Sequence, residues 1–189
     1  MTNPFHALSR RMRPVHATWQ AAAADLTLEH ANHFERPGVL PIAFSLMHLV
    51  TTEDRFASAA LLGKTSLLWE DGEWAGKVGN TVPEVRRGTP MEVAEQLRFA
   101  DIDAWRDYQT AAFAQTDEVL AASDATRWEE IAFETVPPAM HGGFLHMLVG
   151  DGPVTFGDYA EVVVYHHALR HLGELEHARG LVGLRGIGG

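Results

Sequence analysis

Apolar residues that recur at intervals of three and four, between glycine and proline breaks, restrict this chain to packed helices. Val15, Trp19, Ala22, Ala23 and Leu26 share one face of a first helix within residues 5–26. Pro14 suits a helix start, which allows this element to be two pieces. A turn at Thr27–Asn32 leads to the breaker Arg36-Pro37-Gly38. Ala43, Leu46, Val50, Ala57, Ala60 and Leu61 form one stripe on a second helix from about Pro41 to Leu62, and Gly63 ends it. Thr89 as cap, Pro90 at the first helical position and Glu92 as capping-box partner predict a third helix running to about Ala122. A fourth opens at Thr155, with Asp158 three residues on, and closes before Gly180. No run of alternating apolar residues asks for a sheet. The expected fold is all-α, a four-helix bundle with long crossover connections, in a single domain spanning residues 1–189. The connections are residues 64–88 and 123–154, the latter with a short helix or extended piece near Phe144–Val149. Connections this long usually cover something or carry function.

Composition narrows the chemistry. The 189 residues include no cysteine, so thiolate zinc sites, iron–sulfur clusters, disulfides and a cysteine nucleophile are all excluded. Any metal must be held by nitrogen and oxygen, and any thiol chemistry must use an external thiol. The net charge of −10, with only Lys64 and Lys77 as lysines, argues against a nucleic-acid partner. No stretch approaches the roughly 18 apolar residues of a membrane helix. The N-terminal stretch lacks the apolar region of a secretory signal, and a cytoplasmic protein is expected.

The 11 histidines hold the functional content. Tyr165-His166-His167-Ala168-Leu169-Arg170-His171 is the densest cluster. Spacing of four stacks His167 above His171 on one helical face, within about 40° of Ala160, Val164, Leu175 and Ala178. The pair therefore lies in the stripe that faces the interior, where two imidazoles need proton partners or a shared cation. His166 and His177 fall outside that stripe. A third ligand must come from another helix. His48 is the best placed, although it lies opposite the Leu46–Val50–Ala57 stripe; His141 and His146 are its rivals. His6, His16, His30 and His33 read as solvated surface residues.

These residues carry a family resemblance. The segment Pro41-Ile42-Ala43-Phe44-Ser45-Leu46-Met47-His48-Leu49-Val50-Thr51-Thr52-Glu53-Asp54-Arg55-Phe56 resembles the second helix of DinB-like proteins. There, too, a histidine precedes a Thr-Glu-Asp-like segment. His167 and His171 followed by Leu172-Gly173-Glu174 resemble the motif of their last helix, and Arg179–Leu184 their tail. The likeness runs in order along essentially the whole chain. It implies a four-helix bundle, commonly dimeric, in which His48, His167 and His171 hold one divalent metal. It also implies one of two activities: a transferase or isomerase using a thiol such as bacillithiol, mycothiol or glutathione, or a metal-dependent hydrolase.

Three neutral imidazoles leave a divalent ion one or two open positions. Zinc is the default, with nickel, iron and manganese also compatible. Such an ion would activate a thiol toward an electrophilic small molecule, or a water for hydrolysis. Glu174, about 60° from His171 on the helix, is placed to orient a ligand or accept a proton, or else to make an ordinary salt bridge. Asp54 and Arg55 read as a structural ion pair or as support for the site. Trp69 and Trp74 read as loop anchors or the rim of a pocket, and Gly173 as a point of close helix packing. A bundle that binds metal or ligand without catalysis is the remaining class.

Overall fold

The computed structural model describes residues 3–82, 86 and 88–187. α1 (Pro4–Ala24) is one continuous helix, capped by Asn3, whose side chain accepts the Phe5 N–H. Pro14 lies inside it, and of the two arrangements the sequence allowed the undivided helix is the one present. Both Pro14 and Arg10, whose carbonyl loses its donor, face solvent, where water can replace the missing bond. α2 (Leu28–Ala31) is a single turn capped by Thr27. α3 (Ile42–Arg55) starts at Pro41 and continues through a π-helical stretch, Phe56–Leu61, so the second predicted helix is present at full length.

The connection after α3 is ordered around one buried carboxylate. Asp54 accepts the backbone N–H groups of Leu68 (3.0 Å) and Trp69 (2.9 Å), together with the hydroxyls of Ser58 and Tyr108 (both 2.9 Å). α4 (Leu68–Asp71) and α5 (Trp74–Val78) follow, and the rings of Trp69 and Trp74 pack on Tyr108.

The third predicted helix is corrected in its first third. Only Met91–Ala94 (α6) is helical there, with Pro90 at the cap. The Thr89 hydroxyl donates instead to the Arg86 carbonyl (2.8 Å). The long helix α7 (Ile102–Ala122) starts at Asp101, whose carboxylate accepts from Asp103 and Ala104 N–H. Tertiary contacts outweigh the local start signal. The Asn32 side chain brackets the Phe99 backbone with two 2.8 Å bonds, and Ala100 N–H donates to the Val78 carbonyl (2.9 Å). Leu97 and Phe99 are thereby buried. At Gly79, with φ +62°, a Cβ would stand 2.7 Å from that of Ala100, so only glycine allows this approach.

Residues 125–129 and 138–140 are 3₁₀ turns, and Phe144–Val149 is a helix, α8. An unforeseen antiparallel ladder pairs β1 (Ile131–Phe133) with β2 (Val154–Thr155). The predicted Thr155–Asp158 capping box opens α9 (Phe156–Ala160). A second π stretch, Glu161–His166, leads into α10 (His167–Leu181), which runs past the expected stop at Gly180.

The fold is all-α apart from that small ladder. α7 packs on α1 and α3, and α10 on α3 and α1, around fully buried Trp19, Trp105, Tyr108, Phe56 and Phe113. Trp19 Nε1 donates to the Ala168 carbonyl (3.1 Å), tying α1 to α10. Among the described residues no helix is long and apolar enough to cross a membrane.

Candidate metal centre

Where α3 meets α10, three imidazoles converge. His48 sits in the second turn of α3, its ring stacked on Phe44 one turn earlier (5.6 Å between centroids). The Thr52 hydroxyl donates to the His48 carbonyl (2.7 Å), a local bond that bends helices slightly. His167 opens α10 directly after the π stretch, and His171 follows one turn later. Ring centroids are 5.0 Å apart for His48–His167, 5.1 Å for His48–His171 and 4.4 Å for His167–His171. One nitrogen from each ring lies within 4.8 Å of the others, and Nε2 of His48 and of His167 are 3.2 Å apart. Two ligands about 2.0–2.1 Å from a tetrahedral ion stand about 3.3–3.4 Å apart, so that separation suits a shared ion.

The electrostatics favour neutral rings. Burial, then the neighbouring His171, push His48 down to about 4. Burial, then His171 and His48, push His167 down to about 2. Burial also lowers His171, although Glu174 opposes the shift. His171 Nδ1 lies 2.6 Å from Glu174 Oε2, which leaves Nε2 as the ligand atom. Arg170 Nε donates to the other Glu174 oxygen (3.3 Å). The Nδ1 atoms of His48 and His167 are buried without a hydrogen-bond partner. Basic, uncharged nitrogens crowded together and incompletely hydrogen-bonded are a donor set that a divalent cation satisfies. The three histidines could hold a metal ion.

The profile of the DinB superfamily matches residues 11–175, which include all three histidines. The chain belongs to the DinB superfamily. Among solved structures, a conserved protein from Enterococcus faecalis is similar over 97% of this chain and 99% of that one. Its TM-score is 0.77 at 18% identity, a likeness of fold. No curated protein matches the chain.

The remaining sequence candidates sort by structure. The rings of His141 and His146 lie against each other, tilted by 31° with centroids 4.9 Å apart, and are not part of the three-histidine cluster; His141 bonds the Val136 carbonyl and His146 the Gly142 N–H and Asp151. His166 stacks on Phe144, and His177 is exposed. His6 bonds the Ala121 carbonyl, His30 completes the Thr27 capping box, and His33 pairs with Glu35. Asp54 is a buried hydrogen-bond hub, and Arg55 is exposed. Trp69 and Trp74 anchor the connection on Tyr108. Gly173 is exposed, and a Cβ there would meet nothing within 4 Å, so the close packing expected at it is absent.

One sequence reading is reversed. His16 is 4% exposed and stacks on Phe113 (4.1 Å). Its Nε2 lies 2.6 Å from Glu53 Oε1, and its Nδ1 3.3 Å from Asp117 Oδ1. Burial opposes its charge, but the two carboxylates prevail and raise it to about 9. The spacing was informative here: Leu8, Met12 and Trp19 are buried, and His16 lies one turn beyond Met12 on the same face.

Proposed function

We propose that this DinB-superfamily chain is a metal-dependent transferase that joins an external low-molecular-weight thiol to an electrophilic small molecule. The observation that carries the metal half of the reading is the convergence of the His48, His167 and His171 ring nitrogens. The thiol half rests on the resemblance described above and on the absence of cysteine, which leaves only an external thiol. His48, His167 and His171 would hold one divalent ion, zinc by default and nickel or iron as compatible alternatives. A divalent ion bound there supplies Lewis acidity, which lowers the pKa of a thiol or a water at its open positions.

The chain's own groups supply the rest. Burial keeps the three imidazoles unprotonated and available. Glu174 accepts the His171 Nδ1–H and so fixes that ring's tautomer and plane. Glu174 is 43% exposed at its side chain and meets the Nδ1 edge of His171, away from the Nε2 that would face an ion, so its part is to hold that ring; the proton that a thiol releases would go to solvent. The same reading treats residues 1–189 as one cytoplasmic domain, as expected from the sequence, and, through the family resemblance, as a homodimer.

The test has two stages. Untagged protein should carry about one divalent ion per chain by elemental analysis, and His167→Ala should lose it. Protein that takes up neither zinc nor nickel would overturn the metal reading. Electrophile consumption is then followed with and without bacillithiol, mycothiol and glutathione. Thiol-dependent turnover is expected; turnover independent of thiol would reassign the centre to hydrolysis.

A further inference from the structure

A groove of about 400 Å³ lies between α8, α9 and the start of α10, and none of the three converging histidines lines it. Its floor is the Trp128 indole, which can lie flat because Gly157 has no Cβ; one built there would stand 2.3 Å from Trp128 Nε1. One wall is the Phe144 ring stacked on His166 at 3.9 Å and 14°. Tyr165 and Val162 line the groove as well. Phe144, Leu148 and Leu169, which also line it, are 45%, 53% and 42% exposed, a contiguous apolar surface left facing water.

Among the described residues, the lining holds two carboxylates, Asp158 and Glu161, and no lysine or arginine. Asp158 uses Oδ2 for the Thr155 cap, and Glu161 uses Oε1 for Arg11, so each carboxylate keeps a second oxygen. The chain already shows how this rim treats a cation: the Arg11 guanidinium pairs with Glu161 and lies 4.8 Å from the centre of the Tyr165 ring. Aromatic faces beside carboxylates attract a positive charge that carries apolar bulk, and repel an anion. Self-docking across a two-fold axis would set Asp158 and Glu161, the latter already paired with Arg11, against the same groups, which offers no charge complementarity. The volume falls in the range of small-molecule sites.

We infer that this groove binds a small organic cation bearing an aromatic or branched apolar group, independently of any metal at the histidine centre. The probe is benzyltrimethylammonium, followed through the Trp128 indole N–H resonance, with benzyl alcohol and benzoate as neutral and anionic counterparts. Saturable shifts are expected for the cation, with benzyl alcohol weaker and benzoate without effect. Asp158→Asn with Glu161→Gln keeps an oxygen acceptor at the cap, and should weaken the cation about tenfold. Phe144→Ala, at an exposed position that leaves the core intact, should weaken it about threefold or more. The inference is overturned if benzoate binds as well as the cation, or if neither variant changes the affinity. It is also overturned if the Trp128 resonance does not respond to the cation, or if it shifts with protein concentration alone, as burial by a second copy would require.

Discussion

Replacing the His16–Glu53 pair by neutral isosteres, His16→Gln with Glu53→Gln, removes the charge joining α1 to α3 while keeping its volume. Folded His16 is raised from 6.5 to about 9, because Glu53 at 2.6 Å and Asp117 at 3.3 Å outweigh its burial. At about 1.4 kcal/mol per pKa unit, the shift amounts to ~3 kcal/mol of folding stability. The folded pKa is the higher of the two, so this contribution is complete below pH 6.5 and is lost as pH rises through about 9. Urea unfolding at intervals from about pH 6 to about pH 10, on the protein and on the double variant, isolates it, because the other titrating groups are common to both. The stability difference between the two should fall by ~3 kcal/mol across that window, with unchanged denaturant slopes. A difference that stays flat from pH 6.5 to pH 9 would refute the assignment of a buried imidazolium.

Glu174→Gln should weaken zinc binding by about tenfold, because an amide accepts the His171 Nδ1–H less strongly than a carboxylate; competition with a chromogenic chelator measures it, and unchanged affinity would remove the orienting role. Asp54→Ala leaves the donors of Leu68, Trp69, Tyr108 and Ser58 without their acceptor, at a cost of about 3–5 kcal/mol. In that variant the Leu68 and Trp69 amides should exchange much faster with solvent; protection equal to the parent would show that the connection is held by its tryptophans instead.

The sequence disclosed what depends on near neighbours. His167 and His171 are one turn apart within an apolar stripe, and the Thr155–Asp158 box lies within four residues. His48 was harder, because its face lies opposite the stripe that seemed to define the core side. In the structure most of α3 is enclosed: Leu46, Met47, Leu49 and Val50 are all buried, and the remaining face, with Ser45, His48 and Thr52, is itself half-buried. The residues made it the best-placed third ligand beside its rivals His141 and His146, and the family resemblance singled it out. The break before α7 was hidden for the opposite reason. Thr89, Pro90 and Glu92 make a sound local start signal, but Asn32, Val78 and Thr81 hold residues 98–101 out of the helix through bonds from distant segments. His16 depends on Glu53, 37 residues away, and on Asp117, farther still along the chain. Periodicity shows that a residue is inside; it does not show which charge meets it there.

The nitrogens of His48 and His167 that come within 3.2 Å are separated by 119 residues of chain. That span must therefore be closed before the three rings can meet, with the loop-closure entropy it entails. No fragment lacking either α3 or α10 can assemble the set. A ligand that recognises only the completed arrangement stabilises the native state in proportion to the logarithm of its free concentration, and leaves earlier collapsed states untouched. Metal supply would then act on the lifetime of the finished fold, while its rate of formation is set by the chain alone.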